Sequence, residues 1–129
     1  MFNDGMIFKD KLYDSVEHSP SLVLIPIRMG LTKVSEQHLA QLKLFLKYDL
    51  CNGIMGGKHN FAVYVIGYCE DFITLDPHYC QIAGDDLSTY ETSMPHLISE
   101  DQLDTTVTVS FLVNDTSQAD DLMAQVEAW

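Results

Sequence analysis

The sequence has no long apolar run and no evident export signal. Its longest apolar stretch, Leu22 to Ile27, is far shorter than the ~20 residues that a membrane-spanning helix needs. The first residues, Met1 to Gly5, contain no basic segment followed by an apolar one, so we expect no secretory signal peptide. With 47% hydrophobic and 20% charged residues, the composition predicts one globular domain over residues 1–129.

Cysteine is scarce, and its spacing suggests no pairing. The three cysteines, Cys51, Cys69 and Cys80, are odd in number and form no CxxC motif. A disulfide framework is therefore not expected, and a reducing cytoplasm is the predicted compartment.

Basic residues are missing from the second half of the chain. All seven Lys and Arg lie between Lys9 and Lys58, whereas residues 59–129 carry thirteen acidic side chains and no Lys or Arg. Such a surface repels phosphate backbones, so nucleic acid is not an expected partner. It could steer a basic protein partner. The simpler interpretation is an acidic, solvated surface that keeps the domain soluble.

The first half predicts a strand and a helix. The apolar run Leu22–Ile27 is typical of a strand buried on both faces, with Pro26 near an end or an edge because it cannot donate to a ladder. Ser35 is placed to N-cap a helix, with Glu36 in the first turn. The helix would bury one face, formed by Leu39, Leu42, Phe45 and Leu46.

The second half predicts three strands from its β-branched and aromatic residues. These strands are Phe61–Tyr68, Phe72–Leu75 and Thr106–Val113. The first two would form a hairpin through Glu70-Asp71. Before them, three glycines predict a flexible or tightly turned segment; they are Gly53, Gly56 and Gly57.

The remaining segments predict one further helix and mostly turns. Asp4-Gly5 reads as a turn into a short strand Met6–Phe8, and Asp10–Val16 as a helical turn. The polar stretch Gly84–Glu100 predicts a loop. The final helix would follow Asn114–Ser117, with an apolar stripe of Ala119, Leu122, Met123 and Val126. The sum is an α/β or α+β domain with a largely antiparallel sheet and two helices.

Asp76-Pro77-His78 is a short segment whose residue types suit acid–base catalysis. Alternate residues of an extended strand point to the same face, and proline favours that conformation for the residue before it. A carboxylate beside an imidazole holds its tautomer and stabilises the imidazolium, as nucleophile–His–Asp catalysis requires. The alternative is that Asp-Pro begins a turn and that His78 is a surface residue.

Four segments in this order resemble one protease family. Leu24–Leu31 reads LIPIRMGL, Gly53–Asn60 reads GIMGGKHN, Tyr64–Tyr68 reads YVIGY, and Leu75–Gln81 reads LDPHYCQ. Their sequence and spacing are similar to the autophagins, the papain-like cysteine endopeptidases that process a ubiquitin-like autophagy modifier. The resemblance extends from about Asp4 to the final helix.

The resemblance implies a fold, a site and an activity. The fold would be α+β and papain-like, with residues 1–129 forming its C-terminal part and lacking the half that carries the nucleophile. Asp76 and His78 match the catalytic aspartate and histidine. The complete protein would cleave the C-terminus of the modifier and release the modifier from phosphatidylethanolamine, which places it in autophagy and protein transport. The implied partner is the modifier, as free precursor and as lipid conjugate, with membrane contact only through the lipidated substrate. No cofactor and no metal are implied.

The sequence also departs from the family pattern. His59 stands where the family usually has proline, and Asp104–Thr106 and Ser110–Leu112 are looser matches. The family's Gly-Trp-Gly-Cys nucleophile segment has no counterpart, because the one tryptophan is Trp129 and no cysteine follows a glycine. This chain alone is therefore expected to be inactive. Two alternatives remain open: a pseudoprotease that binds the modifier, and a decayed fragment with no stable fold.

The chain's own cysteines are poor candidates to replace the nucleophile of the family. Cys80 lies two residues after His78 but has neither a helix N-terminus nor a cation beside it to depress its pKa. Cys51 and Cys69 are expected to be small apolar residues. A metal site through His59, His78 and Cys80 lacks the usual four ligands. Gly56-Gly57-Lys58 does not complete a phosphate-binding loop.

Overall fold

The computed structural model describes residues 7–84 and 86–128, without the side chain of Thr89. Within these residues one six-stranded sheet has the order β1-β6-β2-β3-β4-β5, and every pairing in it is antiparallel. The strands are β1 Ser21–Arg28, β2 Cys51–Lys58, β3 Phe61–Cys69, β4 Asp71–Leu75, β5 His96–Ile98 and β6 Thr106–Val113. The helices are α1 Lys9–Val16, α2 Glu36–Phe45 and α3 Thr116–Ala128. The predicted α+β class and antiparallel sheet are confirmed, with three α-helices instead of two.

The helices cover one face of the sheet and form the core there. Alternate residues of β6 are buried at 2% exposure or less; they are Val107, Val109, Phe111 and Val113. The buried side chains of the three helices join the same cluster, namely Leu12, Val16, Leu42, Phe45, Ala119 and Leu122. Phe45 meets Phe111 edge-to-face, with ring centroids 6.0 Å apart. Ser35 caps α2 as predicted, since its hydroxyl accepts a hydrogen bond from the backbone N–H of His38.

The opposite face of the sheet is partly open and apolar. Strand β1 forms as predicted, but burial on both faces is wrong, because Leu22 and Leu24 are 52% and 50% exposed. Leu22 lies opposite Leu112, which is also exposed. The strand lies at the edge of the sheet, paired only with β6, so the prediction that Pro26 lies near an edge is confirmed.

The glycine-rich segment is a strand, so the prediction of a flexible or tightly turned segment is wrong. It forms β2, which lies between β6 and β3. Gly53 and Gly57 have φ values of 115° and 71°, a region that other residues rarely adopt. At Gly57 a Cβ atom would lie 2.7 Å from a methyl carbon of Val63, so only glycine permits this approach of β3. The glycines that suggested a turn lie inside the strand ladder, where their positive φ values are accommodated.

Two tight turns fix the strands that lead to the Asp-Pro-His segment. Lys58 pairs with Phe61, so a two-residue turn joins β2 to β3, and its Asn60 has a φ of 57°. Asparagine tolerates this conformation well. The predicted hairpin of β3 and β4 is confirmed, with Glu70 between paired Cys69 and Asp71.

The loop predicted for Gly84–Glu100 is only partly correct. It contains a 3₁₀ turn at Leu87–Tyr90 and the short strand β5, which pairs with β4. Of the predicted turn and first strand, residues 4–6 lie outside the described residues, and Ile7 and Phe8 are not in a strand. The predicted helical turn is the full helix α1. No helix in the described part of the chain has the length and apolar character to cross a membrane.

Candidate active site

Asp76 and His78 meet in a turn directly after β4. The Nδ1 atom of His78 lies 2.6 Å from Oδ1 of Asp76, and the backbone N–H of His78 donates to the same oxygen at 2.9 Å. The expected extended register is wrong, because Pro77 and His78 form a turn. An aspartate that accepts from the backbone two residues later is typical of an Asx-turn. The turn and the carboxylate–imidazole pair therefore arise from one local structure.

The carboxylate of Asp76 is held in its charged form. Its side chain is only 13% exposed, whereas that of His78 is 46% exposed. The backbone N–H of His78 lowers the pKa of Asp76 from its ordinary value, and the imidazoles of His78 and His96 add to this effect. An ionised carboxylate only accepts hydrogen bonds, so the Nδ1 atom of His78 is the donor. The other ring nitrogen, Nε2, then carries the basic lone pair of the neutral imidazole.

We expect Asp76 to make stability depend on pH in the acidic range. Because its pKa is lowered in the folded state, its contribution is present above the ordinary value of 3.8 and is lost as the pH falls through the folded-state pKa. The stabilities of the wild type and Asp76→Asn in urea unfolding should therefore differ most above about pH 5 and approach each other as the pH falls below the ordinary value of 3.8. A difference that does not change with pH would show that the charge of Asp76 is not responsible.

The imidazole of His78 is enclosed on one side by an aromatic ring. Phe61, at the start of β3, stacks on it with ring centroids 4.1 Å apart and an interplanar angle of 25°. Within residues 7–84 and 86–128, no hydrogen bond reaches Nε2 of His78. With an aspartate behind Nδ1 and a free Nε2, the ring is arranged as a general base and acid. Sequence reasoning missed Phe61.

Two small cavities adjoin Asp76. One, of about 200 Å³, is lined by Asp76, Phe61, Tyr79 and His96 among others. A neighbouring one, of about 240 Å³, is lined by Asp76, Tyr79, Gln81 and the segment around Tyr90 to His96. The rings of Tyr79 and His96 are nearly parallel, at 18°, with centroids 5.8 Å apart. Strand β5, which the sequence did not reveal, brings this histidine to the site.

No cysteine in the described part of the chain is hydrogen-bonded to His78. Cys80 and Cys69 are exposed and Cys51 is half-buried. Burial raises the pKa of the Cys51 thiol, which disfavours the thiolate needed for attack.

The residues considered for a metal site do not form one cluster. His59 Nδ1 lies 3.3 Å from Asp104 Oδ2. No group of three or more His, Cys, Asp or Glu residues suited to a metal ion occurs in the part of the chain that the structure describes.

The sequence matches the family model described as the Peptidase C54 catalytic domain over residues 2–125. It is similar to the cysteine protease atg4 of Dictyostelium discoideum, with 32% identity over 107 residues, which are 78% of this chain and 14% of that protein. Cysteine protease ATG4C of Homo sapiens is 30% identical over 105 residues, covering 76% of this chain and 23% of its own length. The ATG4C of Mus musculus is 31% identical over 123 residues, 86% of this chain and 26% of that protein. The chain thus spans about a seventh to a quarter of these relatives.

Proposed function

Because this chain belongs to the Peptidase C54 family of cysteine proteases, we propose that it carries the acid–base part of an autophagy cysteine endopeptidase. His78 is the general base and acid, and Asp76 is its orienting carboxylate. The observation that carries the proposal is the 2.6 Å contact between Asp76 Oδ1 and His78 Nδ1, with no hydrogen bond to Nε2 from the described residues.

The nucleophile comes from polypeptide outside these 129 residues. His78 Nε2 takes the proton of its thiol, and the thiolate attacks the carbonyl carbon of the scissile bond. The carbon–nitrogen bond breaks as the imidazolium returns the proton to the leaving amine, and water then hydrolyses the thioester with His78 again as base. Throughout these steps Asp76 holds Nδ1–H and stabilises the imidazolium.

The proposed substrate is the C-terminus of a ubiquitin-like autophagy modifier. In the precursor, cleavage follows a glycine near the C-terminus of the modifier. The leaving amine belongs to the peptide after that glycine. In the lipid conjugate, it belongs to phosphatidylethanolamine, so membrane contact occurs only through the substrate. The activity is placed in the cytoplasm, in autophagy and the protein transport that accompanies it. The resemblance of the four sequence segments supports this assignment, and the names of the relatives support a cysteine protease of autophagy.

A second candidate is a pseudoprotease that binds the modifier without cutting it. It is favoured by the absence, in the described residues, of a cysteine hydrogen-bonded to His78 and by the thirteen acidic side chains after Lys58. If these charges make the contact, binding of the modifier weakens when the salt concentration rises, because salt screens exposed charges. Binding that does not respond to salt would exclude the acidic surface as the contact.

The 129-residue chain alone is expected to leave the modifier precursor uncut. Removing the nucleophile of a triad removes most of the rate enhancement. The measurement is release of a C-terminal reporter peptide from the precursor, with the complete transcript product as positive control. Cleavage by the chain alone that disappears in His78→Ala would contradict the proposal that the nucleophile lies elsewhere.

A further inference from the structure

We propose that Phe61 is a positioning residue that fixes the plane of the His78 imidazole. The proposal deepens the proposed function and rests on it, since a fixed plane matters for catalysis only if His78 is the base. Phe61 itself need not touch the substrate or the nucleophile. It acts through His78, and its effect on the orientation of that ring is measurable without turnover.

The plane of the ring determines where the reactive nitrogen points. The lone pair of Nε2 lies in the plane of the imidazole, so it reaches a thiol proton only when that plane is correctly rotated. The hydrogen bond to Asp76 holds the Nδ1 edge. The terminal torsion of a histidine side chain has broad preferences, so a further contact is needed to define the ring orientation.

Phe61 provides that contact through a nearly parallel ring. The centroids of Phe61 and His78 are 4.1 Å apart and the planes differ by 25°. A turned imidazole would collide with the phenyl face, whereas the observed orientation gains the stacking contact. With Asp76 at one edge and Phe61 on one face, both the edge and the plane of the imidazole are defined.

The backbone holds Phe61 firmly enough for this role. Phe61 begins β3 in register with Lys58, directly after the two-residue turn, and Asn60 adopts the left-handed conformation that closes that turn. Its side chain remains 40% exposed. A phenylalanine this exposed adds little to the core. Its ring instead stacks on the imidazole of His78.

The orientation of the ring matters for the step in which His78 takes a proton from the thiol. When His78 takes this proton it becomes an imidazolium. Because Phe61 orients the ring for this proton transfer and need not touch the substrate, its loss is expected to lower kcat and to leave KM nearly unchanged.

The test is nitrogen NMR of the histidine side chains in the 129-residue chain, which reports the tautomer of each neutral imidazole. In the wild type, His78 is expected mainly as the Nδ1–H tautomer. Phe61→Ala should lower the ratio of Nδ1–H to Nε2–H by about three- to tenfold, the equilibrium effect of one aromatic contact. Phe61→Tyr should restore the wild-type ratio because it keeps the ring. Ile66→Ala, which removes a similarly exposed side chain further along β3, is the matched control and should change nothing.

The result separates this proposal from the proposed function. A wild-type tautomer ratio in Phe61→Ala, or a loss that Phe61→Tyr does not restore, would overturn the positioning role, whether or not the complete protein is a protease. If the ratio falls as expected while His78→Ala leaves the complete protein fully active, the positioning stands and the catalytic assignment fails. In an active complete protease, Phe61→Ala should lower kcat about three- to tenfold.

Discussion

Replacing His78 by alanine should lower kcat/KM of the complete protease by roughly 10⁴- to 10⁶-fold, the loss that follows removal of a triad histidine. Without the imidazole no group accepts the thiol proton, and none returns a proton to the leaving amine. The substrate should still bind, because binding does not require the proton transfer. The measurement is the rate of cleavage of the modifier precursor, with KM obtained from the same progress curves.

Two further variants make this result specific. Asp76→Asn should lower kcat about 10⁴-fold while leaving the protein folded, since an amide no longer enforces the tautomer with a free Nε2. His18→Ala is the matched control, because His18 is exposed and, within the described residues, its Nδ1 is hydrogen-bonded only to the backbone oxygen of Asp14. Full activity of His78→Ala, or an equal loss in His18→Ala, would contradict the catalytic assignment.

Phe111→Ala should destabilise the fold by about 3–5 kcal/mol, the typical effect of removing a large aromatic side chain from a packed core. Phe111 is fully buried on β6, which lies between β1 and β2. It meets Phe45 and Tyr48 of the α2 region, with ring centroids 6.0 and 6.1 Å away. Its removal would leave a cavity between the helix and the sheet. Urea unfolding measures the effect.

The neighbouring residue provides the control for that measurement. Leu112 follows directly on β6 but lies on the open face of the sheet, where it is 40% exposed. Leu112→Ala should therefore cost at most about 1 kcal/mol. Equal losses in the two variants would mean that the helix-covered face is not the core. A non-cooperative transition in the wild type would favour a fragment without a stable fold.

Spacing and composition together predict the elements whose burial follows a single face. Helix α2 is predicted by the helical spacing of its apolar residues and by Ser35, which marks where it begins. Strand β6 is predicted by its β-branched and aromatic residues. The exposure of β1 was not predicted, because a continuous apolar run does not reveal that one face lacks a covering layer. Likewise, Gly57 signals an unusual φ, but the same signal occurs in turns and in distorted strands.

The site could be predicted only where it is local in sequence. Asp76 and His78 stand out because their residue types and spacing suit acid–base chemistry, and the family resemblance supports their roles, which stay a prediction. The turn that joins them follows from Asp-Pro itself. Phe61 and His96 could not be found this way, because their proximity depends on how β4 pairs with β3 and β5. Register is set by the burial pattern of the paired strands and by the turns that join them, so the Asp-Pro-His segment does not itself encode it.

The most direct test of the account is the sequence of the full-length transcript upstream of Met1. His78 and Asp76 are proposed to serve a cysteine supplied by polypeptide outside the 129 residues. The expected transcript has an open reading frame that continues upstream into a segment with a Gly-Cys nucleophile. An in-frame stop codon directly before Met1 would contradict a nucleophile in the same chain, and binding of the ubiquitin-like modifier would then be the function to measure.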